Sequence, residues 1–209
     1  PSSGGSDNNT STVTVTNVND NSPTDMALAA SSAAENAAAG TDIGTLSTTD
    51  GDASGNSHVY TLVTDSGGAT AYSGTNFAID SAVLEVGSSP SLDYETTTSY
   101  TVYVKVADGS NTAYVEAFTI SITDVNDQAP TFTGVDTTPS SAEGVSAFES
   151  YTIVDTDTVG TYDCTIAGAD AADISCAISG STVTLSYAAT SDYESPADAD
   201  PDNHYEFTI

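Results

Sequence analysis

The chain has 209 residues, a length that allows one or two domains, and 38% of them are hydrophobic, which is enough for packed cores. Thirty acidic residues face a single base, Lys105, so the formal net charge is −29. This charge excludes binding to nucleic acid and to anionic membrane surfaces, and it makes cations the natural partners. The sequence contains no apolar run of about 18 residues, so no membrane insertion is predicted.

Short segments with an apolar residue at every second position recur along the chain, and this alternation predicts half-buried β-strands. The segments are residues 11–18, 100–106, 118–122 and 183–187. Residues 27–39 are compatible with a helix, but they lack a clean apolar face, so a strand with a bend is favoured. Runs of Gly, Ser, Asp and Asn between the segments predict turns and therefore antiparallel β-sandwiches.

One phrase occurs twice: VNDNSP at residues 18–23 returns as VNDQAP at residues 125–130. Four further phrases are repeated in the same order, which predicts a tandem array of one module. These pairs are AEN at 34–36 with AEG at 142–144, TDGD at 49–52 with VDTD at 154–157, NFAI at 76–79 with SCAI at 175–178, and LDYE at 92–95 with SDYE at 191–194.

Nearly every repeated phrase contains a carboxylate, and the loops of a β-sandwich collect at its two poles. Two carboxylates about 4 Å apart repel by roughly 4 kcal/mol at an effective dielectric constant near 20. A single lysine cannot neutralise several such groups, so the counter-charge has to come from solution. Ligand sets made only of oxygen select hard divalent cations, and flexible sets favour Ca²⁺ over Mg²⁺.

These phrases, together with ADG at 107–109 and DVNDQAP at 124–130, resemble the calcium-binding signature of cadherin repeats. The second module, with DYESPADADPDNHYEFTI, is similar to the cadherin-like repeats of large bacterial surface adhesins. The resemblance implies an all-β fold of tandem cadherin-like, Ig-like Greek-key β-sandwiches. Domain 1 would cover residues 24–130 and domain 2 residues 131–209, which lack the final strand. Residues 1–23 would be the last strand and linker of a preceding module.

The resemblance also implies that Ca²⁺ binds between consecutive domains, with about three ions per complete joint. The joint between domains 1 and 2 would use Glu35, Asp93, Glu95, Asp124, Asn126, Asp127, Gln128 (through its carbonyl), Asp155 and Asp157. The second joint would use Asn19, Asp20, Asn21, Asp50, Asp52, Asn56 and Asp108, with Glu143, Asp192 and Glu194 from a neighbouring chain or repeat.

Two hypotheses explain why domain 2 is one strand short while residues 11–18 are a last strand without a domain. In the first, this strand completes domain 2 of the next chain by donor-strand addition, and the chains form a filament. In the second, the chain is a piece of a longer covalent array.

Cys164 and Cys176 suit one disulfide formed in an oxidising compartment, and two buried free thiols are the alternative. By alignment of the modules, Cys164 lies near the position of Leu62 and Cys176 at that of Phe77, so the disulfide would replace apolar packing across the core.

The expected function is that of an extracellular, cell-surface stalk or filament, rigidified by calcium, with neighbouring copies or repeats as partners. The alternative is a calcium-dependent adhesion module that binds a glycan or a surface protein. No enzyme is expected, because His58 and His204 lack a nucleophile signature and no Trp forms a sugar platform. Two segments, starting at Asp50 and Asp198, resemble the start of an EF-hand loop, but position twelve is not Glu, so turns are predicted.

Overall fold

The computed structural model describes residue 4, residues 9–52 and residues 57–209. Within this part of the chain there are twelve β-strands and no helix, which confirms the all-β prediction. The chain folds as two compact units, Pro1–Thr123 and Asp124–Ile209. The domain limits predicted from the sequence, 24–130 and 131–209, stay a prediction. The described residues include no long apolar helix of the kind that spans a membrane.

The first unit contains two four-stranded sheets. One has the order β1-β3-β6-β5 and is antiparallel; the other has the order β2-β8-β7-β4, in which only the β2–β8 pair is parallel. The bend predicted within residues 27–39 separates β1 from β2. The strands are β1 (Asp25–Leu28), β2 (Ser32–Ala34), β3 (Asp42–Thr49), β4 (Val59–Val63), β5 (Phe77–Asp80), β6 (Val83–Val86), β7 (Ser99–Ala107) and β8 (Tyr114–Thr123).

The core of the first unit lies between these sheets. Leu84 and Val86 of β6 are fully buried in a cluster with Ile120 of β8, and Val104 and Val106 of β7 are equally buried. In β7 the buried valines alternate with more exposed residues, as the period-two pattern predicted. Burial of each such aliphatic side chain contributes roughly 1.5 to 3 kcal/mol to the free energy of folding. The alternating pattern therefore determines which face of the strand turns toward the core.

The second unit contains one four-stranded antiparallel sheet in the order β11-β12-β10-β9. Its core is formed by Tyr151, Val183 and Leu185, against which Phe207 and both cysteines pack. The disulfide between Cys164 and Cys176 is present, which confirms that prediction. The strands are β9 (Thr131–Thr133), β10 (Ala147–Val154), β11 (Ile174–Ser179) and β12 (Thr182–Tyr187).

Residues 11–18, which the alternation predicted as a strand, lie outside any strand in this structure. Val13 is 86% exposed and Val15 is 90% exposed. A strand forms only where a neighbour accepts and donates its backbone hydrogen bonds, and within the described part of the chain this segment belongs to none of the three sheets. The alternation therefore indicates a local preference for a strand, but no strand forms at residues 11–18 of this single chain.

Candidate metal centre

Glu35 lies directly after β2 and is only 3% exposed. Its N–H donates to Thr123 O at 3.0 Å, and the N–H of Asn36, a residue with φ of 55°, donates to Leu92 O at 3.2 Å. Asn tolerates this left-handed conformation better than most residues. Glu35 Oε2 in turn accepts a 2.8 Å hydrogen bond from the N–H of Tyr94. Two distant segments therefore hold this carboxylate inside the first unit.

Glu95 lies close to Glu35. One carboxylate oxygen of Glu95 is within 4.8 Å of one carboxylate oxygen of Glu35. Asp93, from the same DYE phrase, belongs to none of the carboxylate clusters found among the described residues. Its Oδ1 accepts from the N–H of Thr96 at 3.0 Å, and its Oδ2 accepts from the Thr96 hydroxyl at 2.9 Å. Both Asp93 oxygens thus accept hydrogen bonds that stabilise the turn at Thr96.

Asp157 binds the backbone of the linker. Its Oδ2 accepts hydrogen bonds from the N–H of Asp127 at 3.0 Å and of Gln128 at 2.8 Å, while its own N–H donates to Asp155 Oδ1 at 3.2 Å. An Asp127 carboxylate oxygen also lies within 4.8 Å of an Asp157 oxygen. Asp157 is 7% exposed, and its Oδ1 is buried without a hydrogen-bond partner among the described residues. A buried, charged oxygen without a donor is costly and is the kind of atom that a cation satisfies.

Asp124 has a similar arrangement at the start of the linker. Its Oδ2 accepts hydrogen bonds from the N–H of Thr158 at 2.5 Å and from the Thr158 hydroxyl. Its Oδ1 is buried and, within the part of the chain described, finds no donor. Asn126 uses its side-chain nitrogen to donate to Val159 O at 3.4 Å, so the amide oxygen is the atom with which it could bind a cation.

The first linker repeats this arrangement in the first unit. The N–H of Asn21 donates to Asp52 Oδ2 at 3.0 Å, and its side-chain amide donates to Asp52 Oδ1 at 2.8 Å and to Asp20 Oδ1 at 3.1 Å. The two bonds from Asn21 to Asp52, chiefly the one from the Asn21 side chain, lower the pKa of Asp52 below 3.8. The N–H of Asp52 donates to Asp50 Oδ1 at 3.0 Å, and Asp50 Oδ2 lies 3.2 Å from the His58 ring.

Asp108 is 4% exposed and is tied to this linker by Asn111, a residue that sequence reasoning assigned only to a turn. Asn111 donates to both Asp108 oxygens at 2.9 Å, and from its side chain to Asn19 Oδ1 at 2.7 Å. The hydrogen bond from the Asn111 side chain to the Asp108 carboxylate is the main reason that the pKa of Asp108 is lowered to about 2. Asn19 Nδ2 donates to Asp108 O at 3.2 Å. The remaining predicted ligand, Asn56, lies outside the described residues.

Glu143, Asp192 and Glu194 meet in the second unit, with one carboxylate oxygen of each within 4.8 Å of the others. All three side chains are exposed. The N–H of Tyr193 donates to Glu143 Oε2 at 3.3 Å, and Gly144, the residue after Glu143, is left-handed with φ of 78°. The three residues are therefore close together within this unit, and their action as a common metal site stays a prediction.

Two local arrangements therefore occur once in each unit. The repeated phrases supply the residues that form the same hydrogen bonds in both units. In one arrangement, the tyrosine of DYE binds the glutamate of AEN or AEG; in the other, the last residue of VNDN or VNDQ binds the second aspartate of TDGD or VDTD. The hydrogen bonds are Tyr94 N to Glu35 and Tyr193 N to Glu143, and Asn21 N to Asp52 and Gln128 N to Asp157.

The donor set fits a hard divalent cation. Every candidate ligand offers an oxygen, from a carboxylate, an amide or a carbonyl, and the buried oxygens Asp124 Oδ1 and Asp157 Oδ1 lack donors in the described part of the chain. The only lysine of the chain, Lys105, donates to Gly68 O at 3.2 Å in the first unit. The chain therefore has little positive charge of its own to set against thirty acidic residues.

Known proteins resemble this chain in sequence and in fold. Residues 30–123 match the cadherin domain family. Human protocadherin Fat 1 is 33% identical over 130 residues, which are 61% of this chain and 3% of that protein.

Among solved structures, the human desmocollin-1 ectodomain has a TM-score of 0.66 at 21% identity, over 85% of this chain and 35% of that chain. The protocadherin GammaB4 extracellular domain has a TM-score of 0.55 at 22% identity, over 86% of this chain and 28% of that chain. This chain thus spans about a third of those solved chains. Residues 30–123 form a cadherin-like domain, and the chain has the β-sandwich fold of cadherin repeats.

Proposed function

We propose that this chain is a pair of extracellular cadherin-like repeats that calcium stiffens, and that it serves as stalk or filament material in a cell-surface adhesin or fibre of the bacterial type. The observation that carries this proposal is the carboxylate of Asp157. One of its oxygens binds the linker backbone at Asp127 and Gln128, and the other is buried without a donor among the described residues. A cation at that second oxygen would hold the linker against the second unit.

The charge of the chain favours a cation over any protein group as the partner of these oxygens. Carboxylates that are buried and close together repel strongly unless a counter-charge is present. When bound, Ca²⁺ would supply two positive charges and accept about six to eight oxygen ligands in a flexible geometry. The calcium-binding character of cadherin domains supports the same choice of metal.

The ligands follow from the local geometry together with the resemblance to cadherins. Glu35 and Glu95 would bind from the first unit, and the linker and second unit would contribute Asp124, Asn126, Asp127, Gln128, Asp155 and Asp157, for about three ions at a complete joint. Asp93 would join only if it released its bonds to Thr96. A second joint would combine Asn19, Asp20, Asn21, Asp50, Asp52, Asn56 and Asp108 with Glu143, Asp192 and Glu194 of a neighbouring copy or repeat.

A stalk needs stiffness rather than catalysis, and the proposed sites supply it by tying the linkers down. Cadherin domains are non-enzymatic adhesion domains. In this proposal the acidic pairs of the chain would serve as cation ligands rather than as an acid and a base. Without the cation, the ionised carboxylates would repel one another and the linkers would be free to bend.

Small-angle X-ray scattering of the whole chain tests this proposal. In calcium at about 1 mM, within the range where extracellular modules bind, we expect a larger maximum dimension and a narrower distribution of lengths than in a chelator. D157N should reduce the change, whereas D80N, which removes an exposed carboxylate outside every cluster, should leave it intact. A length that does not respond to calcium would exclude the rod mechanism.

We also propose that residues 11–18 donate a strand to the second unit of a neighbouring copy. The segment alternates Val13 and Val15 with threonines, and both valines are almost fully exposed. An exposed segment with strand periodicity gains hydrogen bonds and apolar burial when it is added to an incomplete sheet.

The second unit has a place where a strand could be added. A cavity of about 260 Å³ is lined in part by the apolar residues Ile153, Ile178 and Val183. Beside this core, Thr208 pairs with Ala167 through one isolated bridge rather than through a continuous ladder. The occupant to which we commit is the segment 11–18 of a second copy.

Sedimentation across a range of concentrations tests strand donation. We expect the mass to grow with concentration in steps of 21.1 kDa, because a head-to-tail contact does not close. V13D/V15D should abolish the growth, since charges cannot enter the apolar wall, while T14D, on the other face, should not. A mass that stays at one copy at all concentrations would exclude strand donation without affecting the calcium proposal.

A further inference from the structure

A fourth group of carboxylates lies in the second unit, in a loop that neither proposed joint uses. One oxygen each of Asp198, Asp200 and Asp202 lies within 4.8 Å of the others. Asp200 and Asp202 are exposed, as acidic side chains in turns usually are, but Asp198 is only 4% exposed. The sequence spacing predicted no more than a turn, and it gave no sign of this burial.

The two oxygens of Asp198 have different surroundings. Oδ2 accepts hydrogen bonds from the N–H of Asp202 at 2.7 Å and of Asn203 at 3.0 Å. Oδ1 is buried and has no hydrogen-bond partner among the residues that the structure describes. The side chains that cluster with Asp198 are two more carboxylates, which add negative charge instead of a donor. A buried carboxylate in this position is stable only with a positive partner.

The loop is held in place by a residue outside the cluster. Asp170 is 2% exposed; its Oδ1 accepts a 2.6 Å hydrogen bond from the N–H of Ala199, and its Oδ2 accepts one of 2.6 Å from the N–H of Glu206. Asp170 therefore clamps both ends of the loop that carries Asp200 and Asp202. Because these bonds are independent of the cluster, the loop can present its carboxylates before any ligand binds.

The first unit has no counterpart of this loop. By alignment of the two modules, the segment equivalent to Tyr100-Thr101-Val102 is Phe207-Thr208-Ile209. In the second unit 12 residues separate Glu194 from Phe207, whereas in the first unit four separate Glu95 from Tyr100. The additional residues of the second unit contain all three clustered aspartates. The loop thus has no equivalent between Glu95 and Tyr100 of the first unit, and it shares no residue with the ligands of the proposed joints.

We propose that Asp198, Asp200 and Asp202 bind a calcium ion within the second unit, apart from the interdomain joints. Three carboxylates at alternate positions form an all-oxygen set that suits Ca²⁺, as in the first half of an EF-hand loop. Ile209 stands where such a loop would provide its glutamate, so water and backbone carbonyls have to complete the coordination. The expected dissociation constant is on the order of 0.1 to 1 mM, the range of extracellular modules.

One other group can offset charge in this cluster. The ring of His204 lies 3.2 Å from Asp202 Oδ1 and is 82% exposed, and an imidazole carries charge only when it is protonated. It does not reach Asp198 Oδ1, which lacks any partner within the described residues. A divalent cation is therefore the partner that the buried oxygen requires.

Counting bound calcium by equilibrium dialysis of the whole chain tests the proposal. The D200N/D202N variant should bind one ion fewer than the wild type, and the ion lost should be a weak one. The matched control is D42N/D80N, which removes two exposed carboxylates outside the clusters and reduces the net negative charge by the same amount, from −29 to −27. Equal calcium counts for the wild type and D200N/D202N would overturn the proposal.

Amide NMR spectra locate the site and separate it from the joints. Calcium should shift the amide signals of residues 198–206 in the wild type and in D157N, but not in D200N/D202N. Because Asp200 and Asp202 are exposed, that variant should retain the dispersed spectrum of the folded chain, whereas D198N could unfold the loop. If calcium shifts only the linker amides, the loop is a turn and the joint proposal stands; if it shifts only the loop amides, the joint proposal fails.

Discussion

Tyr94 donates its backbone N–H to Glu35 Oε2 at 2.8 Å, and Tyr193 does the same to Glu143 Oε2 at 3.3 Å in the second unit. The acceptor in the first unit is buried and the acceptor in the second is exposed. The same local arrangement thus places one glutamate inside its unit and the other at the surface.

We expect E35Q to separate folding from calcium binding. The glutamine oxygen can still accept the hydrogen bond from Tyr94, so the melting temperature in a chelator should change little. The stabilisation by calcium should fall by roughly 1 to 2 kcal/mol, because the variant binds the cation more weakly. Thermal unfolding followed by circular dichroism, with and without calcium, measures both quantities. E85Q, which changes a glutamate of β6 outside the carboxylate clusters of the described residues, is the control and should respond to calcium as the wild type does. An undiminished response of E35Q would count against Glu35 as a ligand.

Reduction of the Cys164–Cys176 disulfide should destabilise the second unit by about 3 kcal/mol, the entropic estimate for closing so short a loop. The first unit contains no cysteine, so its unfolding should not change. Denaturant unfolding of the oxidised and reduced chain provides the comparison. C164S/C176S should no longer respond to the reductant, and a shift in the transition of the first unit would show that the effect is not local.

Substitutions at Gly144 should show why the AEN phrase becomes AEG in the second module. With φ of 78°, an alanine would be strained although its Cβ would have no neighbour within 4 Å, so we expect G144A to cost roughly 1 to 2 kcal/mol. G144N should cost less, because Asn36 adopts the left-handed conformation at the equivalent position with φ of 55°. Equilibrium unfolding of the two variants measures the difference. If G144A were as stable as the wild type, backbone strain would not explain the glycine.

The second unit should lose stability at alkaline pH through Tyr151. Burial, followed by the charges of Glu149 and Asp136, raises the pKa of Tyr151 above 10.0, and its hydroxyl donates to Asp136 O at 2.9 Å. Since the folded-state pKa is the higher one, the stabilising effect is complete below pH 10.0 and is lost as the pH rises through the folded-state pKa.

Unfolding free energies measured from neutral to alkaline pH test this prediction. Y151F should be less stable at neutral pH by roughly 0.5 to 1.5 kcal/mol, the usual value of a lost hydrogen bond, but it should lose less stability as the pH rises. Y193F, at a position that is 68% exposed, is the matched control. Parallel pH profiles for Y151F and the wild type would show that Tyr151 does not set the alkaline limit.

Much of the fold followed from patterns that are local in sequence. The alternation at residues 100–106, 118–122 and 183–187 predicted β7, β8 and β12, because burying one face of a strand requires an apolar residue at every second position. Residues 11–18 carry the same pattern without forming a strand, since alternation specifies a preference and not a partner. The disulfide was also predicted from composition and spacing, and the structure contains it.

The candidate sites were harder to predict, because a ligand needs the right surroundings as well as the right side chain. Asp93 and Glu95 stand two residues apart in one phrase, yet only Glu95 approaches Glu35, since Thr96 binds both oxygens of Asp93. Asn111 was not predicted as part of the site, because asparagine in a turn is common and its hydrogen bond to Asn19 joins residues that lie 92 positions apart.

The sequence by itself determined that this protein is an acidic tandem repeat of β-sandwich modules, because strand periodicity, repeated phrases and net charge can all be read along the chain. Only the tertiary structure decided which carboxylates are buried. Glu35 is enclosed by a segment 59 residues away, and Asp198 is enclosed in a loop whose ends Asp170 holds. Burial depends on distant segments packing together, and it is burial that turns an ordinary acidic side chain into one that requires a cation.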